Sequence, residues 1–191
     1  MRKAVAPFAA LFIAGCASSE WQATETVPDG KLYVPKMYAP LRPGSIYPDR
    51  KTPVPAKGRP LLVLVCPESG DCRKDEILDQ AAQRGLVVLA TKQQAPSIPA
   101  RSEIDATRTG TLMVAAASLK LVASPPPRAG TPPSSPSQQS PSLFATLHTT
   151  APPAGTDGVI LKLYAPDEKG RLPREAFRDA VEWLAGELGA R

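Results

Sequence analysis

Cys66 and Cys72 are the pair of residues whose type and spacing bear most directly on chemistry. Five residues separate them, and this short loop contains a serine and a glycine that allow it to fold back. In an exported protein we expect such a pair to form a disulfide, and closing the loop would stabilise the fold by about 2 kcal/mol. Two alternatives remain open. The pair can be redox-active, with Cys72 activated near a helix N-terminus, or the two thiols can stay unpaired.

Ser118 and His148, the only histidine of the chain, are the candidates for nucleophilic catalysis. A catalytic triad requires its base within hydrogen-bond reach of the nucleophile, and no motif in the sequence connects these two residues. The alternatives are a serine near the end of an element and a structural or surface histidine. One histidine and two cysteines beyond Cys16 do not provide zinc-site spacing, and isolated glycines do not form a phosphate-binding loop. We therefore predict neither a metal nor a cofactor.

The N-terminus has the layout of an export signal. Residues 1–3 form a short basic start, and residues 4–14 are apolar except for Pro7. This stretch is too short to cross a bilayer as a helix, which needs roughly 20 apolar residues. A basic start followed by a short apolar run predicts a secretory signal peptide over residues 1–15.

The end of this signal, Ile13-Ala14-Gly15-Cys16, resembles the lipobox of bacterial lipoproteins. The resemblance implies cleavage before Cys16, diacylation of its thiol and N-acylation of the new N-terminus. Several acyl chains hold a protein stably on a membrane. In such lipoproteins an Asp after the cysteine retains the protein in the inner membrane, whereas Ala17 implies an outer-membrane protein that faces the periplasm. The alternative is an ordinary signal peptide in which Cys16 is a simple thiol.

The positive charge of the chain is concentrated near this predicted anchor. Residues 17–60 carry seven Lys or Arg against four Asp or Glu, whereas residues 61–124 and 125–191 each carry seven against seven. This distribution argues against a nucleic-acid surface, which would place the basic excess on the folded part. It favours a tether close to anionic head groups or cell-wall polymers, with an ordinary solvated linker as the alternative. The expected partners are the membrane, an envelope protein or a cell-wall polymer.

Two apolar runs with a helical segment between them define the start of the fold. Residues 61–65 and 86–90 are continuously apolar, and residues 72–84 have one apolar face. Continuous apolar strands joined by a helix predict a parallel β-α-β unit that is buried on both faces. Asp71 is placed to cap the helix and Gly85 to end it.

The remaining segments give the predicted domain organisation. Residues 16–60 are rich in proline and form a basic tether with an edge strand at 31–35. Residues 61–191 form the folded domain, which a Pro/Ser-rich disordered segment at 124–141 interrupts. The domain also contains a strand or helix at 111–117, strands at 142–148 and 158–164, and a closing helix after Pro173. The predicted class is α/β, a small three-layer sandwich with a mostly parallel sheet and long Pro-rich irregular segments.

The order of these segments resembles α/β-hydrolases of the dienelactone hydrolase and polyhydroxybutyrate-depolymerase-like esterase type. Residues 31–36 (Lys-Leu-Tyr-Val-Pro-Lys) are similar to their opening strand. Residues 59–90 resemble their strand, oxyanion turn, helix and second strand, and residues 161–188 resemble their last strand, histidine loop and final helix. The resemblance covers about half of the mature chain and implies a truncated hydrolase fold.

The chain departs from this family where catalysis takes place. No Gly-x-Ser-x-Gly elbow follows residues 105–108, which resemble the segment that precedes the elbow strand. The oxyanion turn has Cys66-Pro67 in place of His-Gly, and a proline has no N–H to donate. Lys169 occupies the position of the general-base histidine, and a solvated lysine is a poor base at neutral pH.

These observations predict a lipid-anchored envelope protein with a non-catalytic, hydrolase-like binding or structural domain. One alternative is an exported thiol-redox protein, because a strand, a cysteine pair (Cys66/Cys72) and a helix in this order resemble thioredoxin-like proteins. Those proteins use Cys-x-x-Cys, and this chain has a longer spacing. A second alternative is an esterase with an unrecognised nucleophile, for which Ser118 and His148 are the candidates.

Overall fold

The computed structural model describes residues 21–38, 53–66, 72–115, 118–124, 143–148 and 159–190, with the backbone alone for 38, 53, 143–148 and 159. The strands are β1 (Trp21–Val27), β2 (Gly30–Pro35), β3 (Met37–Tyr38), β4 (Pro53–Val54), β5 (Arg59–Val65), β6 (Val87–Thr91), β7 (Ile104–Ala115), β8 (Ser118–Ser124), β9 (Leu143–His148) and β10 (Val159–Leu163). The helices are α1 (Lys74–Gln83) and α2 (Arg174–Glu187). Outside the described residues lie the predicted signal peptide, Cys16, Pro67 and all of the predicted disordered segment except Ser124.

An eight-stranded mixed sheet in the order β1-β2-β6-β5-β7-β8-β9-β10 forms the centre of the fold, and β3 and β4 pair separately. Strand β5 is parallel to β6 and β7, and β9 is parallel to β10. The other four pairings in the large sheet are antiparallel. The α/β class is therefore correct, but the prediction of a mostly parallel sheet is wrong. Pairs joined by a short connection, β1–β2 and β7–β8, can only be antiparallel.

The predicted β-α-β unit is present at the centre of this sheet. β5 and β6 pair in parallel from Leu61 opposite Val87 to Val65 opposite Thr91. Helix α1 connects them and ends before Gly85, whose φ of 65° is readily adopted by glycine. Its N-cap residue is Arg73, whose side chain makes no capping hydrogen bond, and the predicted cap Asp71 lies outside the described residues.

The two faces of the sheet are covered differently. Both helices pack on one face, over a cluster that includes Leu62, Leu64 and Leu112. The other face has a separate cluster around Leu61 and Val63, which includes Ala56 and no residue of either described helix. The predicted three-layer sandwich thus has one helical layer among the described residues. The β6–β7 connection, where a second layer could arise, contains two prolines and is not helical.

Several segments differ from their predicted roles. Strand β2 lies between β1 and β6, so residues 31–35 form an interior strand rather than an edge strand. Residues 21–35 belong to the sheet and not to a tether, because Leu32, Tyr33 and Val34 are buried. Residues 111–115 are the end of strand β7, which resolves the choice between strand and helix. The predicted strands at 142–148 and 158–164 are confirmed as β9 and β10.

The closing helix is confirmed as α2. Its buried face contains the predicted residues Phe177, Val181 and Leu184, and Leu188 at its C-cap is buried as well. Pro173 is the N-cap residue rather than the first helical residue. The start of α2 lies beside the start of α1, because Arg174 of α2 contacts Glu76 of α1.

Candidate functional site

Cys66 and Cys72 are joined by a disulfide at the carboxyl end of β5. Their Cα atoms lie 5.7 Å apart. Cys66 continues the line of β5, because its N–H donates to the carbonyl of Thr91 at 3.1 Å. Cys72 directly precedes Arg73 and is 8% exposed, whereas Cys66 is partly buried against the core. The disulfide thus connects a central strand to the first turn of α1, and the alternative of two unpaired thiols is wrong.

One side of the disulfide forms part of the wall of an open groove of about 660 Å³. This groove lies between the first turn of α1 and the residues around the start of α2. Besides the two cysteines, the described residues that line it are four basic and two acidic ones: Arg73, Lys74, Asp75, Glu76, Arg171 and Arg174. The groove is therefore strongly polar and contains charges of both signs.

Arg73 connects the two walls of this groove. Its Nη2 atom lies 2.9 Å from Oδ2 of Asp167, and its guanidinium carbon lies 5.7 Å from the centre of the Phe177 ring. The backbone of Arg73 is left-handed, with φ of 44°, a conformation that L-residues other than Asn, Asp and His rarely adopt. This residue lies between the disulfide-bonded Cys72 and the first residue of α1.

Asp167 and Glu76 are the acidic partners of the arginines in the groove. Asp167 accepts hydrogen bonds from the backbone N–H groups of Arg171, at 2.8 Å, and Lys169, at 2.9 Å. These bonds, that of Arg171 first, hold the pKa of the Asp167 carboxyl below its usual range. Oε1 of Glu76 lies 2.9 Å from Nε of Arg174. The arginines of this groove are thus positioned by carboxylates that lie beside them.

A second groove, of about 430 Å³, is also lined by Cys66. Among the residues that the structure describes, its charged lining consists of Lys31, Lys74, Lys92 and Asp29. Cys66 and Lys74 line both grooves. Oδ2 of Asp29 accepts a hydrogen bond from the backbone N–H of Ser97 at 2.6 Å. This carboxylate oxygen is thus already hydrogen-bonded within the protein.

Strands β2 and β6 approach each other closely at the second groove. Gly30 lies opposite Thr91, and a Cβ atom at Gly30 would lie 2.1 Å from the carbonyl oxygen of Ala90. Lys31 and Lys74 both lie near the Tyr33 ring, with Nζ 5.6 Å and 5.0 Å from its centre. Tyr33 is 8% exposed, so its ring is a fixed support for the two ammonium groups.

The residues proposed for hydrolysis have a different arrangement. Ser118 and His148 face each other in the β8–β9 ladder. Ser118 makes no hydrogen bond with any side chain that the structure describes, and His148 is described by its backbone only. Lys169 lies in the turn before α2, where its backbone N–H is bonded to Asp167. The strands therefore bring Ser118 and His148 together without showing a nucleophile that is hydrogen-bonded to a base.

Sequence reasoning identified the cysteines but not the lysines around them. Lys31 follows the turn between β1 and β2, Lys92 follows β6, and Cys66 follows β5. The carboxyl ends of parallel strands meet at one edge of a sheet, and Cys66 and Lys92 each directly follow such a strand. This placement was the signal in the sequence that the two residues lie at the same edge.

Within the described ranges, no three His, Cys, Asp or Glu residues lie close enough together to hold a metal ion. Neither α1 nor α2, the helices described, is long and apolar enough to cross a membrane. No family model matches this chain, and no curated protein or solved structure matches it either.

Proposed function

We propose that this chain is a lipid-anchored protein of the bacterial cell envelope whose folded domain exchanges thiols and disulfides through Cys66 and Cys72. The observation that carries the proposal is the position of Cys66 on the walls of two open grooves, the first of which Cys72 also lines. Structural cysteines are typically buried and inert, whereas reactive cysteines lie in partly exposed, electropositive surroundings. Cys66 is only partly buried, and Lys74 lines both of its grooves.

The exchange uses the two cysteines in sequence. In the reduced protein the thiolate of Cys66 attacks one sulfur of a substrate disulfide, and the other substrate sulfur leaves as a thiolate that takes a proton from water. The thiolate of Cys72 then attacks Sγ of Cys66. This step re-forms the Cys66–Cys72 disulfide and releases the second substrate thiol. The protein loses two electrons and the substrate disulfide gains them; the reverse sequence oxidises a substrate dithiol.

The lipid anchor supplies the compartment that this chemistry needs. The lipobox-like segment that ends at Cys16 supports attachment to the envelope, and Ala17 favours the outer membrane and its periplasmic side. Disulfides form and persist in oxidising compartments outside the cytoplasm.

A second proposal keeps the domain as a non-catalytic binding module on a truncated, hydrolase-like fold, with an envelope protein or a cell-wall polymer as its partner. The parallel β5-α1-β6 unit supports such a fold, and the 660 Å³ groove with its positioned arginines offers a place for a polar ligand. In this case the disulfide is a structural link between β5 and α1.

A redox titration separates the two proposals. The full chain with Cys16→Ala keeps Cys66 and Cys72 as its two cysteines. It is equilibrated with graded ratios of reduced and oxidised dithiothreitol, and the fraction of free thiol is measured by alkylation. A midpoint above about −300 mV supports exchange, since structural disulfides of secreted proteins have lower potentials. A disulfide that resists reduction down to that potential favours the binding module.

A further inference from the structure

We infer that Arg73 is a positioning residue for the exchange reaction, because it couples the Cys66–Cys72 disulfide to the turn before α2. The inference rests on the proposed exchange function and adds the residue that sets the balance between disulfide and dithiol. Arg73 directly follows Cys72 and is the N-cap residue of α1. It therefore connects a reacting cysteine to the first turn of the helix.

The backbone of Arg73 has the left-handed conformation, with φ of 44° and ψ of 43°. Among the residues that the structure describes, it is the one non-glycine residue with a positive φ. A residue with a Cβ atom adopts this conformation at a cost in free energy, and only where its surroundings impose it. Arg73 is bonded to the disulfide-linked Cys72 on one side, and its carbonyl accepts the N–H of Ile77 at 3.2 Å on the other. Reduction removes the first of these constraints, so the left-handed conformation should relax in the dithiol form.

The side chain of Arg73 is held at the opposite wall of the first groove. It is 12% exposed, and its Nη2 atom lies 2.9 Å from Oδ2 of Asp167. Its guanidinium also lies over the Phe177 ring. Asp167 is itself fixed, because it accepts the backbone N–H groups of Lys169 and Arg171. These contacts are made from the left-handed backbone, so they stabilise that conformation and with it the disulfide.

Arg73 thus acts on the disulfide in two opposite directions. The cost of its left-handed backbone favours the dithiol, in which the residue can relax, whereas its contacts with Asp167 and Phe177 favour the disulfide. A coupling between two sites is reciprocal, so the ion pair and the disulfide stabilise each other equally. Reduction of the disulfide should therefore also loosen the contact between Arg73 and Asp167.

The equilibrium constant for disulfide formation, measured against dithiothreitol in the full chain with Cys16→Ala, tests both contributions. Asp167→Asn keeps an oxygen that can accept backbone N–H groups and removes the charge beside Arg73. It should lower the constant about threefold, as suits a partly exposed ion pair. Arg73→Ala and Arg73→Gly remove the same side-chain contacts but differ in the cost of a left-handed backbone. The constant of the glycine variant should be about fivefold higher than that of the alanine variant.

Arg84→Gln is the matched control. Arg84 also connects an end of α1 to a carboxylate of α2, with its Nη2 atom 2.7 Å from Oε1 of Glu182, but it lies at the C-cap, far from the disulfide. Its constant should equal that of the parent chain.

The possible results separate the inference from the exchange function. An unchanged constant in Asp167→Asn would overturn the coupling through the side chain, and equal constants in Arg73→Ala and Arg73→Gly would overturn the coupling through the backbone. Either result leaves the exchange function standing. A parent disulfide that resists reduction over the whole series of dithiothreitol ratios would overturn the exchange function, and the inference with it.

Discussion

Ser118 lies directly opposite His148 in the antiparallel β8–β9 ladder, at the end of the sheet where β9 meets the final strand β10. The fold thus places side by side the two residues that the sequence offers as nucleophile and base. Proximity of two strands is not sufficient for hydrolysis, because the hydroxyl must be raised from the sheet and a donor must stabilise the oxyanion. Ser118 is the first residue of a regular strand, and the sequence around it lacks the Gly-x-Ser-x-Gly pattern.

We therefore expect no esterase activity from this pair. Loss of one part of a working triad enzyme typically lowers the rate by a factor of about 10² or more. The full chain should hydrolyse short-chain p-nitrophenyl esters no faster than the Ser118→Ala/His148→Ala double variant, measured side by side at neutral pH. Saturable turnover that disappears in the double variant would make the esterase interpretation correct.

Replacement of Cys16 tests the predicted membrane anchor. Cys16→Ala removes the thiol that is diacylated in lipoproteins, so acylation should be lost. The chain should then remain as an unprocessed precursor or leave the membrane fraction, as followed by labelling with a fatty acid and by fractionation. A Cys66→Ala variant is the control and should be acylated normally. Membrane-bound, processed protein in the Cys16 variant would contradict the assignment.

The central part of the fold was predictable because its local signals agree. Leu61–Val65 and Val87–Thr91 are almost entirely apolar, and both strands are buried on both faces as such runs predict. Strand β8 was not predicted, although its sequence carries a signal. Residues 118–124 alternate, with Leu119, Leu121 and Ala123 buried, and this period of two is typical of an antiparallel strand with one face exposed. Strand β1 gave little signal, since five of its seven residues are exposed.

The site was predictable only in part. Cys66 and Cys72 carry their signal in their type and spacing, and the disulfide follows from it. Lys31 and Lys92 are 61 positions apart in the sequence. They line the same groove because β2 pairs with β6, where Gly30 lies opposite Thr91. A long-range pairing of this kind leaves no local pattern, so the second groove required the structure.

Gly30 should be intolerant of a side chain. A Cβ atom there would lie 2.1 Å from the carbonyl oxygen of Ala90, so Gly30→Ala must push β2 away from β6. We expect it to lower the free energy of unfolding by about 1–3 kcal/mol, measured by urea denaturation.

Gly186→Ala is the matched control, because nothing lies within 4 Å of its Cβ position and it belongs to α2. It should raise stability by about 0.5 kcal/mol through helix propensity. Equal effects of the two substitutions would contradict the close approach.

Asp179 should contribute a pH-dependent part of the stability of the fold. Its carboxylate accepts hydrogen bonds from Nζ of Lys162 at 2.7 Å and from the hydroxyl of Tyr164 at 2.8 Å. Led by the bond from Lys162, these contacts lower the pKa of Asp179 to about 2. The same carboxylate, after burial of the phenol, raises the pKa of Tyr164 well above its usual value. A carboxyl whose pKa is lower in the folded state stabilises the fold above its unfolded pKa, and this contribution is lost as the pH falls through the folded pKa.

The window for this effect lies between about pH 4 and pH 2, from the unfolded to the folded pKa of the carboxyl. Asp179→Asn keeps an oxygen acceptor for Tyr164 and removes the charge, so it isolates the ionic part. We expect the variant to be less stable than the parent by about 1 kcal/mol at pH 6, a value reduced for solvent screening because Lys162 is largely exposed. The difference in the free energy of unfolding, measured by urea denaturation, should fall towards zero as the pH approaches 2.

Asp79→Asn, at an exposed position of α1, is the control and should show a smaller difference over the same range. A deficit in Asp179→Asn that stays constant from pH 6 to pH 2 would show that its effect is steric and not electrostatic.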